Sequence, residues 1–152
     1  MQMNEPVIGI YGKSNTGKTN LIVNIIKQLS NEGFKVASIK ITDKNIGVDT
    51  KGKDTWKYEE AGASLVVLSS QKETDFLIKK PEDILKIIKL IQQIDNYDLI
   101  IIEGANDKYT SKIRIGDIKK RDNTIFTYSG DLENIINFLK TEFLGGKNDN
   151  KS

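Results

Sequence analysis

The chain has 152 residues, 38% of them hydrophobic, and contains no histidine and no cysteine. Those two absences exclude Cys/His zinc sites, haem and iron–sulfur ligation, disulfides, and every mechanism that needs an imidazole or a thiolate. Lys and Arg number 23 against 21 Asp and Glu, a formal charge of +2, and only Arg114 and Arg121 are arginines. Such a balance does not suit an obligate nucleic-acid binder. Chemistry is left to carboxylates, lysines, hydroxyls, backbone amides and a hard cation. The length fits one domain. The opening MQMNEPVIGIYG has no signal-peptide pattern, and no apolar run reaches the roughly 18–20 residues of a membrane span. The expectation is a soluble, cytoplasmic protein.

In chain order, Pro6–Tyr11 is a short apolar run that ends in glycine, a buried strand by its length. Residues 17–30 place Leu21, Ile22, Ile25, Ile26 and Leu29 at helical spacing, and Gly33 suits the left-handed position after the helix. Lys35–Ile41 reads as a second strand. Thr42–Lys53 is a long polar loop, and long loops in compact domains are often functional. Asp54–Glu60 reads as a short helix stopped near Gly62. Ser64–Leu68 is a strand and Asp75–Ile78 a further one. Pro81 suits a first helical turn, with Ile84, Ile87, Ile88, Ile91 and Ile94 as the stripe behind it. Tyr97–Ile102 is an apolar strand running into Glu103-Gly104. Residues 105–121 show no clear pattern. Asn123–Thr127 reads as a strand and Asp131–Phe143 as an amphipathic helix, before a flexible polar tail over 145–152. Apolar strands alternating with amphipathic helices predict an α/β domain with a mostly parallel sheet, here over residues 1–144.

Gly12-Lys13-Ser14-Asn15-Thr16-Gly17-Lys18-Thr19 fits G-x-x-x-x-G-K-[ST] at every position. Small residues let consecutive N–H groups curl around a phosphate chain, and the following helix aims its positive end at the same anion. A strand before the loop and a helix after it supply the context the motif requires. Lys18 is expected at the β/γ-phosphates and the Thr19 hydroxyl at Mg²⁺, with Asn20 next in the helix. The bland alternative is a Gly-rich turn with a solvated lysine. Lys13 resembles the signature lysine of the dimerising, deviant-Walker branch of P-loop proteins; the simpler reading is an exposed loop lysine.

Glu103 ends a buried strand, the place where P-loop proteins hold an acid beside Mg²⁺ or the attacking water. Asp98 starts that strand and lies at its far end, a solvated position.

A third segment separates the P-loop families. It runs Ile39-Lys40-Ile41-Thr42-Asp43, then Asp49-Thr50-Lys51-Gly52-Lys53-Asp54-Thr55-Trp56, then Glu60-Ala61-Gly62-Ala63. Taken with GKSNTGKT and DLIIIEG, it resembles the molybdopterin-guanine dinucleotide biosynthesis protein B (MobB) family from about Val7 to Leu139. The resemblance implies a three-layer P-loop NTPase-like fold and a dimeric accessory protein. It implies binding of GTP with Mg²⁺ and slow hydrolysis, with Lys18 and Glu103 as the catalytic pair. It implies assistance to the molybdopterin guanylyltransferase, a MobA-like partner, and contact with molybdopterin, in a molybdenum or tungsten pathway. By position it places Gly12 to Thr19 at the phosphates and Glu103 at the metal. It places Lys40, Asp49, Lys53 and Asp54, with Gly52 and Thr55, beside the phosphates or a pterin cleft. Asp54 or Thr55 also reads as the N-cap of the helix at 55–60. Ala61-Gly62-Ala63 reads as a closely packed turn.

The departures from the family are specific. Histidines commonly follow the strand-end lysine there; this chain has Ile41, Thr42, Asp43 and Lys44, and Asp43 is the candidate replacement at Mg²⁺. Ala105 and Asn106 stand after Glu103-Gly104 where an aromatic residue and a lysine are usual. No [NT]-K-x-D follows a strand, and Asp131 reads as a helix N-cap. Two other readings share the scaffold. One is a small-molecule kinase, which two arginines make a poor fit for lack of a lid; the other is a non-hydrolysing, nucleotide-dependent adaptor.

Overall fold

The computed structural model describes residues 5–47 and 53–145, with Lys53 described by its backbone alone. Asp49, Gly52 and the tail from 146 onward lie outside the described residues. In chain order the elements are β1 (Val7–Tyr11), α1 (Lys18–Asn31), β2 (Val36–Lys40), α2 (Lys53–Glu60), β3 (Leu65–Ser69) and β4 (Thr74–Ile78). They continue with α3 (Ile84–Ile94), β5 (Leu99–Glu103), β6 (Ser111–Ile115), β7 (Thr124–Tyr128) and α4 (Leu132–Leu139). A π-helical segment, Lys140–Leu144, extends α4. The chain divides into two units, residues 43–87 and the remainder, with the second division falling inside α3.

The larger unit holds a five-stranded sheet in the order β2-β5-β1-β6-β7, parallel at every pairing. β1 is buried along its whole length and β5 up to Glu103, because both faces of the sheet's centre are covered. On one face Ile8, Ile10, Leu99, Ile101, Ile113 and Ile115 meet Leu21, Ile22, Ile25 and Leu29 of α1 and Ile135, Ile136 and Leu139 of α4. Residues alternate across a strand, so Tyr11, Ile100, Ile102 and Lys112 face the other way, and all four are at most 1% exposed. α3 adds the buried Ile88. The architecture is the three-layer α/β class with a mostly parallel sheet.

The residues 105–121 that lacked a pattern contain β6. The β6–β7 crossover, 116–123, contains no helix. Gly33 takes φ 88°, the left-handed value expected after α1. Asp98 is tied rather than merely solvated, since its Oδ2 accepts from Lys35 N at 2.7 Å. Asp131 caps α4, its Oδ1 accepting from Asn134 N at 3.2 Å.

In the smaller unit β3 and β4 form a separate antiparallel hairpin. Val66 is buried, whereas Leu65, Val67, Phe76 and Ile78 are 41–60% exposed. The register pairs Leu65 with Ile78 and Val67 with Phe76, so these four share one face. Three local expectations are corrected here. Pro81 precedes α3, which starts at Ile84, because Asp83 supplies the first helical carbonyl, to Ile87 N. Asp54 and Thr55 lie inside the first turn of α2 rather than capping it, because the helix begins at Lys53. Gly62 is needed for its φ of 103° after α2 and not for close packing, since a Cβ there would meet nothing within 4 Å.

Candidate functional site

β1 delivers Gly12 to the carboxyl edge of the sheet, and the chain turns through Asn15 (φ 63°) and Gly17 (φ 83°) into α1. Gly12 is constrained by packing: an added Cβ would stand 3.0 Å from Ile115 Cβ and 3.2 Å from Thr16 Oγ1. Thr16 Oγ1 donates to Lys13 O at 2.6 Å and fixes the bend. Gly17 leaves α1 without a side-chain cap. Among the described residues the amides of residues 13–20 have no internal acceptor, and the first helical hydrogen bond is Leu21 N to Gly17 O. A run of unpaired N–H groups at a helix start forms an anion cradle. Lys18 Nζ spans the loop, donating to Gly12 O at 3.0 Å and Lys13 O at 2.8 Å.

The acid lies beside this loop. In the sheet register Glu103 stands next to Ile10 on one side and Lys40 on the other. Thr19 Oγ1 donates to Glu103 Oε1 at 3.2 Å, and Lys40 Nζ lies 4.0 Å from Oε2. The carboxylate is 17% exposed and the Lys40 side chain 63%. Gly104 releases the chain after the acid at φ 85°, where a Cβ would come 3.1 Å from Ile41 O. The hydroxyl and carboxylate are hard oxygen donors. Cis ligands of an octahedral Mg²⁺ stand about 2.9 Å apart, so the 3.2 Å Thr19–Glu103 separation fits that ion with little adjustment. Among the described residues no group of three carboxylates exists to hold a metal alone. That suits an ion completed by phosphate and water.

The structure thus brings Lys18, Thr19, Glu103 and Lys40 together. Asp43 and Asp54 belong to the smaller unit.

Sequence reasoning missed a buried cluster behind the site. Lys112 is fully buried and its Nζ donates to the carbonyls of Asp107 (2.6 Å), Thr110 (2.8 Å) and Asp122 (2.9 Å). Burial pushes this ammonium below the ordinary lysine value, against the pull of the Asp107 and Asp122 carboxylates. Burial alone would raise Asp107, but the Thr110 and Tyr109 amides and the Lys112 charge outweigh it and hold the carboxyl low. The one signal in the sequence was a lysine in a strand whose alternate residues, Ile113 and Ile115, face the core.

A parallel β2-β5-β1-β6-β7 sheet with a glycine-rich loop between β1 and α1 and an acid ending β5 defines the P-loop NTPase fold. Solved structures agree on the fold. The molecule matches Bacillus subtilis MobB with TM-score 0.71 at 17% identity, over 91% of this chain and 98% of that one. It matches a crystal structure of molybdopterin-guanine biosynthesis protein B with TM-score 0.66 at 24% identity, over 91% and 99%. The family model for molybdopterin guanine dinucleotide synthesis protein B matches residues 7–140, and the chain belongs to that family. Among relatives, the molybdopterin-guanine dinucleotide biosynthesis adapter protein of Haemophilus influenzae is 34% identical over 110 residues, covering 71% of this chain and 61% of its own. A putative adapter of Methanocaldococcus jannaschii is 38% identical over 101 residues, covering 66% of this chain and 41% of its own. The matched region therefore spans less than two thirds of these relatives' length, 61% of one and 41% of the other.

Proposed function

We propose that the protein is a GTP-binding adapter in the making of molybdopterin guanine dinucleotide, working beside a MobA-like guanylyltransferase in the cytoplasm. The observation that carries this reading is the row of acceptor-free amides at 13–20 closed over Lys18, with Thr19 and Glu103 in contact at its edge. The amides of Gly12 to Asn20 and the Lys18 ammonium bind the phosphates, and Thr19 and Glu103 hold Mg²⁺. When bound, the ion neutralises charge on the β- and γ-phosphates. Lys40, 4.0 Å from Glu103 Oε2, helps to orient that carboxylate. Asp43 takes the place that the family resemblance assigns to histidines. By their positions in the family motif, Lys40, Asp49, Lys53 and Asp54 are assigned to phosphate or pterin binding. The guanine preference follows from the family's product.

Hydrolysis is slow. Arg114 donates to Ile118 O and Thr127 Oγ1, and Arg121 stacks on Tyr11 and donates to Ala105 O, so both arginines serve the β6–β7 crossover and, among the described residues, neither contacts the loop at 12–19. That supports an adapter over a small-molecule kinase. The exposed apolar face of Leu65, Val67, Phe76 and Ile78 supports a homodimer, since contiguous exposed apolar patches mark interaction surfaces.

The test is calorimetric binding of GTP and ATP with Mg²⁺ to the wild type and Lys18→Ala. GTP is expected to bind more tightly than ATP and to weaken at least tenfold in the variant, as for loss of a charge-assisted contact. Equal, weak binding of both nucleotides that ignores the substitution would overturn the reading. Glu103→Gln is expected to lower Mg²⁺-dependent turnover; unchanged turnover removes Glu103 from the metal site.

A further inference from the structure

With no helix in the β6–β7 crossover, side chains hold it against the sheet. Arg114 Nη1 donates to Ile118 O at 2.6 Å and Lys112 Nζ to Asp122 O at 2.9 Å. The Thr124 hydroxyl donates to Arg121 O at 2.7 Å, so the 2.6 Å contact between Tyr11 and Thr124 has the tyrosine as donor. Tyr11 Oη in turn accepts from Arg121 N at 2.9 Å. Together with the loop after Glu103 the crossover borders a shallow, open cleft of about 410 Å³, lined by Asn106, Ile118, Lys119, Lys120, Arg121 and Asp122. The cleft is distinct from the phosphate loop: Arg121 stacks on Tyr11, whose ring lies on the sheet face away from α1.

Three cations line the cleft against one carboxylate, and none of the four makes an ion pair among the described residues. Arg121 is fixed in advance. Its guanidinium lies 4.7 Å from the Tyr11 ring centroid and Nη1 donates to Ala105 O at 2.8 Å, while Nε and Nη2 have no partner among the described residues. The chain has only two arginines among 23 basic residues, and both serve this crossover. A stacked planar fork is what bidentate recognition of a phosphate requires, and lysine does not replace it. The volume lies within the roughly 300–1,000 Å³ of small-molecule sites.

We infer that this cleft is a second anion site, which takes the phosphate-monoester end of a small molecule. The chemical class rests on the adapter reading. A dinucleotide carries one phosphate from each half, so with a nucleoside triphosphate in the phosphate loop the other half must bring its phosphate as a monoester. Such a group is a dianion near neutral pH, its second pKa being about 6. Arg121 grips it, Lys119 and Lys120 add charge, and the Asn106 amide is placed to read the attached ring.

The experiment uses the whole chain, ¹⁵N-labelled, with the phosphate loop filled by GDP and Mg²⁺. It is titrated with 6-hydroxymethylpterin monophosphate, with 6-hydroxymethylpterin, with inorganic phosphate and with an acidic peptide. The ester is expected to shift the Arg121 Nε–H and Asn106 side-chain signals saturably, at least tenfold more tightly than the other three probes. Arg121→Gln should weaken it at least tenfold. Lys119→Gln/Lys120→Gln, which disturbs no packing, should weaken it severalfold and leave GTP affinity within twofold. Shifts confined to residues 12–20, or equal ester affinity in the double variant, overturn the proposal. So does inorganic phosphate or the peptide binding as tightly as the ester. A parallel GTP titration of the wild type separates this outcome from failure of the adapter reading, which predicts GTP binding whatever the ester does.

Discussion

Replacing Gly9 by alanine tests how tightly the loop after Glu103 is seated. Gly9 lies in the middle of β1, and a Cβ there would stand 2.5 Å from Ala105 Cβ and 3.3 Å from Lys112 Cγ. Carbon atoms pack at about 3.5–4.0 Å, so Ala105 would have to retreat by about 1 Å. It has little room, being fully buried with its carbonyl accepting from Arg121 Nη1. Overpacking of this kind costs about 2–3 kcal/mol. For a chain of this length that lowers the thermal midpoint by about 5–10 °C. Ala105→Gly removes the obstructing carbon at a cost of about 1 kcal/mol. The double variant should therefore be more stable than Gly9→Ala alone, with a coupling of about 2–3 kcal/mol. Urea and thermal unfolding of the four proteins, followed by circular dichroism, give the cycle. Strictly additive effects would refute the assignment of Ala105 as the obstacle.

Two further outcomes follow from the buried cluster. Lys112→Met leaves three loop carbonyls without their shared donor and should destabilise by about 2–4 kcal/mol, read as a lower urea midpoint; a change under about 0.5 kcal/mol would mean that water replaces the ammonium freely. Asp107 is held below its ordinary value in the folded state, so its stabilisation is complete above about pH 4 and is lost as pH falls through the depressed value. Asp107→Asn should lower stability at neutral pH and flatten the acid limb of the stability–pH curve, and an unchanged acid limb would place the linkage elsewhere.

The phosphate loop, α1, β5 and Glu103 were legible in the sequence because their signals are local. The motif, the apolar runs and the helical spacing fall within about 30 residues of chain and agree with one another. Even the Thr19–Glu103 contact followed, since the ends of parallel neighbours β1 and β5 must meet. The side of the sheet around β6 was not legible. Ser111-Lys112-Ile113-Arg114-Ile115 has the alternation of a strand with one wet face. Lys112 is dry only because the loops at 105–110 and 116–123 fold over it, and no local pattern encodes that cover. The start of α3 was misplaced for a related reason: Pro81 is a good first-turn residue in isolation, but the first helical carbonyl is that of Asp83, to Ile87 N.

The hold of Lys18 on its own loop changes what its removal would mean. Its ammonium serves Gly12 O and Lys13 O before any ligand arrives, so the loop's carbonyls turn inward to a cation while its amides turn outward. The ring keeps its shape through internal charge rather than by waiting for a guest. On the proposed reading a nucleotide exchanges acceptors on a lysine already in place, and little of its binding energy goes into ordering the chain. On the same reading, deleting the side chain removes a phosphate contact and also unbuttons the cradle. Lys18→Arg, which keeps the charge but alters the reach, separates those two losses.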